Sequence, residues 1–344
     1  MAYKRIVVKI GTNLLAENLC GLRTNLINQI AKQISALKKK GIEVLIVTSG
    51  AIGAGCMELG VKKSREIEVR QALAAIGQSS VMRAYHDAFS KFNVKVAQIL
   101  LTYEDFSNRK RYLNLRKALD KLISLGVVAI INENDPISVD EIGATFGDND
   151  KLSALVAGKV NADLLIILSD IDGLYDKNPK THKGAKLIRN VNSITKDIEK
   201  AAGKSGSAFA IGGMITKIKA AKIAMDSGCD VVICNGKKKN ILEKVLLGKE
   251  GTLFKAKGKL SNKERWIKFS KAKGKVIVDS GALSALQNHK SLLSVGISKV
   301  TGEFKKGDII LVNDILKGIV EYSSEELSKG KGKVVIKSEN IVLL

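Results

Sequence analysis

Histidine is scarce in this sequence, three residues in 344, and cysteine is little commoner at four. Cys20, Cys56, Cys229 and Cys234 form no C-x-x-C pair, and so few histidines stand beside them that no zinc or iron–sulfur ligand set emerges. They read as buried, reduced thiols. No apolar run approaches the roughly 20 residues that a membrane span requires. "MAYKRIVVKIG" at the start lacks the apolar core and small-residue cleavage site of a secretory signal, so the expected location is the cytoplasm. Neither a serine–histidine nor a cysteine–histidine pairing stands out as an activated nucleophile. Internal repeats and low-complexity tracts are absent as well.

Positive charge, by contrast, is plentiful: 57 Lys and Arg against 34 Asp and Glu give a formal net charge of +23. Such a balance suits nucleic acid, an acidic membrane surface or anionic substrates. The excess is mostly lysine spread along the whole chain, as in "LKKKG" at 37–41, and a biased genome composition would produce the same picture. Charge therefore permits RNA binding without arguing for it. The densest cluster, at 255–275, also interrupts the hydrophobic pattern, and reads first as a linker and second as an RNA-contacting strip. The resulting division is a large domain at 1–256, a basic linker at 257–274 and a small module at 275–344.

Upstream of the linker, short β-branched runs alternate with amphipathic segments. Strands are predicted at 4–11, 43–50, 94–102, 127–135, 163–170 and 230–236, and helices at 26–41, 111–126, 149–162 and from about Lys217 onward. Continuous apolar strands alternating with helices indicate a three-layer α/β/α fold around a mainly parallel sheet. Ligands of such sheets bind beyond the carboxyl ends of the strands. The polar and glycine residues hardest to explain as turns fall at those ends, at 9–12, 48–55, 132–135, 147–150 and 169–172. After the linker, "KVIVD", "DIILV", "GIVEY" and "KVVIK" read as short strands around one helix at 281–288, a small β-rich barrel-like module.

Several rim features admit two readings. "TSGAIGAG" at 48–55 is either a strand-to-helix turn whose N–H groups hold an anion or a site of tight helix–strand packing. Lys9, a cation in an apolar strand, either points out of the sheet's end or meets an anion. In "IGGMITKIKAA", Gly212 and Gly213 precede Thr216 and Lys217, so that a phosphate-loop reading competes with a plain turn followed by a solvated helix lysine. Asp135, Asp148 and Asp150 add carboxylates to the same rim, and clustered carboxylates require cations between them. Mg²⁺, an ammonium group and lysines together are the furniture of phosphoryl transfer.

"VVKIGTNLL", "VTSGAIGAG", "INENDPISVDE", "FGDNDKLSA", "SDIDGLYDKNP" and "IGGMITKIKAA", in that order, resemble the amino acid kinase family. "VDSGALSAL" through "GIVEYSSEEL" resembles a PUA domain, so the likeness covers essentially the whole chain. The pairing of NEND with GDND points to the branch acting on glutamate. The resemblance implies transfer of the γ-phosphoryl group of ATP to the side-chain carboxylate of L-glutamate, the first step toward proline, with Mg²⁺ accompanying ATP. The alternatives are another acid substrate of the same family, or an RNA-binding protein using the PUA-like module.

Carried over by position, the resemblance puts Lys9 on the ATP phosphates and Lys217 on the transferring group or the leaving oxygen, with Asp150 orienting both lysines. Ser49, Asp135, Asn149 and Asp148 match substrate-binding positions. Ser169 and Asp170, together with Ile211, Gly212, Gly213, Met214, Ile215, Thr216 and Lys217, match the nucleotide-binding segments. The resemblance also implies proline feedback inhibition and a homo-oligomer, and it names no direct Mg²⁺ ligand. Two departures stand out: Ile211 occupies a position where relatives commonly carry a hydroxyl residue, and the terminal module is short after "YSSEEL".

Overall fold

The structure is a computed structural model, and it describes residues 3–15, 22–138, 149–179, 181–196, 198–199, 213–256, 258, 260–327 and 333–344. The chain folds as two compact units. One comprises Met1–Tyr103 and Leu113–Lys259, the other Glu104–Tyr112 and Leu260–Leu344. In chain order the first elements are β1 (Arg5–Ile10), α1 (Thr12–Leu15), α2 (Thr24–Lys39), β2 (Glu43–Val47), α3 (Ala51–Leu59), α4 (Ile67–Ser90) and β3 (Val96–Leu101). There follow α5 (Glu104–Ser107), α6 (Arg109–Ser124), β4 (Val128–Glu133), α7 (Asn149–Lys159), β5 (Leu164–Ser169) and β6 (Asn190–Val191). Then come α8 (Met214–Asp226), β7 (Asp230–Asn235), α9 (Ile241–Leu246) and β8 (Thr252–Phe254).

Among the described residues, eight strands of the first unit form one sheet in the order β3-β4-β2-β1-β5-β7-β8-β6. The first six of these run parallel; β8 turns antiparallel against β7, and β6 pairs parallel with β8. Ile6, Val8 and Ile10 of β1 share a core with Ile27, Ile30 and Ile34 of α2 and with Val81, Tyr85 and Phe89 of α4. The side-chain period of two sends Val7 and Lys9 to the opposite face, where α7 packs on β1 and β5 and α8 packs on α7. Coverage of both faces explains why β1 is apolar along its whole inner length. Lys9 is the exception, only 5% exposed.

The turn after β2 leads into the N-terminal end of α3. Gly50 has φ 99°, a left-handed conformation that glycine adopts without a Cβ penalty, and it leads directly into the helix. The glycines behind it let α3 and α4 meet backbone to backbone. A Cβ on Gly55 would lie 2.0 Å from the Leu73 carbonyl oxygen, and one on Gly77 would lie 1.9 Å from that of Ala51. Of the two readings of "TSGAIGAG", the packing role is thus present, and it fixes where the first turn of α3 stands relative to the strand ends.

The second unit begins with α5 and the first residues of α6 and resumes with α10 (Asn262–Phe269), β9 (Gly274–Val278) and α11 (Ser280–Gln287). It continues through β10 (Leu292–Leu293), β11 (Ile297–Thr301), β12 (Ile309–Val312), β13 (Leu316–Ile319), α12 (Ser324–Leu327), β14 (Val334–Ile336) and β15 (Ile341–Leu343). Its larger sheet has the order β11-β9-β12-β13-β15, and β10 pairs with β14. Residues 262–269, inside the stretch expected as a linker, form a helix opened by a capping box: Ser261 Oγ accepts from the Glu264 N–H while Glu264 accepts from the Ser261 N–H. Trp266 donates to the Ser107 carbonyl at 3.1 Å, with Arg109 stacked over its ring. At the other end of α10, Lys317 donates to the carbonyls of Lys268 and Ser270 at 2.9 and 2.7 Å, satisfying acceptors that a helix end leaves open. Segment 104–112 is thus built into the core of this unit.

Candidate active site

At the carboxyl end of β1, Lys9 reaches across the covered face to the first turn of α7. Its Nζ lies 2.6 Å from Asp150 Oδ1, while Lys217, entering from the first turn of α8, lies 3.2 Å from Asp150 Oδ2. Thr216 donates its hydroxyl to the same Oδ2 at 2.8 Å. Asp150 is 1% exposed and the two lysines 5% and 6%. Burial pushes the Asp150 carboxyl upward, but the two ammonium groups outweigh it and hold the group at about 2. Burial likewise drives Lys217 downward, opposed by Asp150 and reinforced by Lys9. The triad carries a net positive charge in a largely buried site, with Asp150 separating two cations that would otherwise repel. Lys217 is therefore a buried member of a charge cluster and not a solvated helix lysine.

Asn149, the preceding residue on α7, turns the other way. Its Nδ2 donates to the Thr48 carbonyl at 2.7 Å, to Ser49 Oγ at 2.9 Å and to Asn132 Oδ1 at 3.0 Å, tying together the ends of β2 and β4. Thr48 is itself anchored by Tyr85 OH at 2.8 Å. Beyond β4, Asp135 is buried and lines a cavity of about 320 Å³ together with Glu133, Gln98 and Gln78. Burial lifts its carboxyl first, nearby Glu133 adds to the lift, Arg70 opposes it, and the group sits at about 7. Two adjacent residues at the start of α7 thus face two ways, Asp150 toward the lysines and Asn149 toward Ser49 in the turn after β2 and Asn132 on β4.

The structure brings Lys9, Asp150, Thr216 and Lys217 into one cluster, and Ser49 and Asn149 into another joined to it through α7. Ser169 donates to Asp170 at 3.2 Å at the end of β5, and the Asp170 charge acts on Lys217, so the pair sits beside the triad. Gly213 is the N-cap of α8, with Met214, Ile215, Thr216 and Lys217 forming its first turn. Asp148, Ile211 and Gly212 lie outside the described residues. Sequence reasoning did not single out Asn132, Gln78 or Tyr85 individually. A polar residue on the buried stripe of α4, Gln78 among Ala74, Val81 and Tyr85, was the signal available for one of them.

Comparison with known proteins shows the family. Residues 4–235 match the amino acid kinase family and residues 274–342 match the PUA domain. The chain is 51% identical to the glutamate 5-kinase of Methanosarcina barkeri, over 98% of this chain and 92% of that one. It is 47% identical to the glutamate 5-kinase of Caldanaerobacter subterraneus over 95% of this chain and 90% of that one. Among solved structures, a carbamate kinase from Giardia lamblia bound to AMP-PNP superposes with a TM-score of 0.53 at 17% identity, covering 74% of this chain and 99% of that one. A UMP kinase from Bacillus anthracis gives 0.50 at 18% identity, with 76% and 99% covered. At such identities these two speak for the fold alone. The family match runs over most of the chain, through every strand that contributes to the lysine–aspartate cluster, and the chain belongs to the amino acid kinase family.

Proposed function

We propose that this protein transfers the γ-phosphoryl group of ATP to the side-chain carboxylate of L-glutamate, giving glutamyl 5-phosphate, with the site residues acting as follows. The observation that carries the reading is the buried Lys9–Asp150–Lys217 cluster sharing one helix start with the Asn149–Ser49–Asn132 network. The identity to glutamate 5-kinases over nearly the whole chain supports the choice of acid. A carboxylate is already an anionic nucleophile, so no proton has to be removed and no histidine base is needed. The difficulty is electrostatic: two anions must approach, and charge gathers on the transferring group and the leaving oxygen. Lys9 is placed to neutralise the ATP phosphates and Lys217 the transferring phosphoryl group, with Asp150 holding both ammonium groups in orientation. Ser49, Asn149 and the first turn of α3 suit a substrate carboxylate, and Asp135 suits the substrate ammonium.

Mg²⁺ fits this donor set as the counter-ion carried on the nucleotide. Among the described residues no three His, Cys, Asp or Glu side chains gather as a metal cage, and Asp150 is engaged by both lysines and Thr216. A magnesium ion held mainly by phosphate oxygens, with few protein ligands, is the usual arrangement for a nucleotide site. Its chemistry there would be further neutralisation of the β- and γ-oxygens.

The test is direct. Purified protein with ATP, Mg²⁺, glutamate and hydroxylamine should accumulate a glutamate-dependent hydroxamate; turnover of a different acid with none from glutamate would overturn the reading. The position of Asp135 adds a pH dependence. The substrate ammonium needs the carboxylate ionised, and with the free group near 7 a proton competes with glutamate below that pH. KM for glutamate should therefore rise by up to about tenfold per unit as pH falls below 7, with ATP KM steady. Glu133→Gln removes the like charge and should move the onset to lower pH. A glutamate KM that is flat from neutral to mildly acidic pH would count against the Asp135 assignment.

A further inference from the structure

Asn149 carries two amide hydrogens but faces three acceptors, the Thr48 carbonyl, Ser49 Oγ and Asn132 Oδ1. Which two it serves depends on how firmly the acceptors are held. Thr48 is main chain and Ser49 sits beside it, whereas the Asn132 side chain can rotate. One bond prevents this rotation: Asn132 Nδ2 donates to Gln78 Oε1 at 2.8 Å. That contact orients the Asn132 amide so that its oxygen, and not its nitrogen, meets Asn149.

Gln78 sits on the buried stripe of α4 between Ala74, Gly77, Val81 and Tyr85, where an apolar side chain would pack without a polar burden. It is 8% exposed, and its Nε2 has no hydrogen-bond partner among the described residues. A buried amide with half its capacity unmet is a standing cost, which a packing role alone does not explain. The same side chain lines the cavity that holds Asp135 and Glu133. It therefore stands between the two groups assigned to the amino acid, the Asn149–Ser49 pair and the Asp135 carboxylate.

We propose that Gln78 is a positioning residue for the phosphoryl acceptor: through Asn132 it fixes the Asn149 amide, and through Asn149 the Ser49 hydroxyl, in the orientation that receives the amino acid. This rests on the proposed function above. The relay Gln78–Asn132–Asn149–Ser49 touches neither Lys9 nor Lys217, so its loss should be felt in acceptor binding and not in nucleotide binding.

Gln78→Met keeps the length and volume of the side chain and removes its acceptor. The expected result is a glutamate KM raised about tenfold, with ATP KM within about twofold of the parent protein. Adding the change to an Asn132→Ala background should raise glutamate KM no further, because the relay is already cut. Should the methionine variant fail to fold, Gln78→Asn, which retracts the amide by one methylene, is read in the same way. Unchanged glutamate KM, equal increases in both KM values, or full additivity with Asn132→Ala would overturn the proposal. Absence of glutamate-dependent turnover in the parent protein would instead overturn the substrate assignment.

Discussion

Lys217→Ala is expected to lower kcat for glutamate phosphorylation by about three orders of magnitude while leaving the glutamate KM nearly unchanged. The side chain lies in the first turn of α8, with its ammonium 3.2 Å from Asp150 and 6% of the residue exposed. A charge in such a place interacts with a phosphoryl group far more strongly than it would in water. It is also already oriented, so no reorganisation is needed as charge shifts to the leaving oxygen. Truncation to alanine leaves Asp150 paired with Lys9 alone, and the negative charge that remains near the reacting phosphoryl group adds to the loss. Steady-state kinetics at saturating ATP decide the matter: a variant with kcat close to the parent value would remove Lys217 from the chemistry.

Asp150→Asn should be comparably damaging to kcat and, unlike the lysine change, should also cost the fold. Breaking a buried ion pair by removing one partner typically destabilises a protein by about 3–5 kcal/mol, because the remaining charge is left buried and uncompensated. Here two ammonium groups would be left facing each other. The sign of the pH dependence follows from burial, which already drives Lys217 below its ordinary range. In the variant, with the opposing carboxylate gone, the folded state should release a lysine proton more readily than the unfolded chain. Its stability deficit should be largest near neutral pH and shrink as pH rises. In the parent protein Asp150 is held at about 2, well under its ordinary value, so its contribution is complete above about pH 4 and lost as pH falls toward 2. Thermal unfolding of both proteins across pH checks this; a deficit that does not shrink at high pH would argue against charge as its cause.

The parts of the fold that could be read from sequence are those whose signal is local. The strands from β1 to β5 and β7 are runs of β-branched residues, and their places along the chain agree with the structure to within a few residues. β8 could not be read in this way: Thr252–Phe254 is three residues long and owes its strand geometry to pairing with Val231, Val232 and Ile233 of β7. Helix α10 was hidden by composition, because the half-buried Lys263 and Lys268 mask Trp266 and Ile267, which enter a core with Tyr112, Ile309 and Val342. The small module shows the same limit: "GIVEY" marked a strand, but pairing with β12 and β15 places it at Leu316–Ile319.

The site divides along the same line. Lys9 announced itself as a charge in an otherwise apolar strand, and Asp150 as a carboxylate at a helix start. Their relation to each other came from the family resemblance alone and from no local signal, because it depends on β1, α7 and α8 meeting although they stand far apart along the chain. Asn132 and Gln78 are further removed still. Each is an ordinary amide until the α3–α4 packing at Gly55 and Gly77 sets α4 against the end of β4.

The most direct test of the chemistry uses glutamate labelled with ¹⁸O in both side-chain carboxylate oxygens. If that carboxylate attacks the γ-phosphorus of ATP, one labelled oxygen bridges carbon and phosphorus in the product. When the acyl phosphate then breaks down by attack of the substrate's own amine at the carbonyl carbon, the C–O bond cleaves and the bridging oxygen leaves with phosphate. The expected result is inorganic phosphate carrying one ¹⁸O per turnover. Unlabelled phosphate, released at the same rate with or without glutamate, would contradict transfer to the carboxylate.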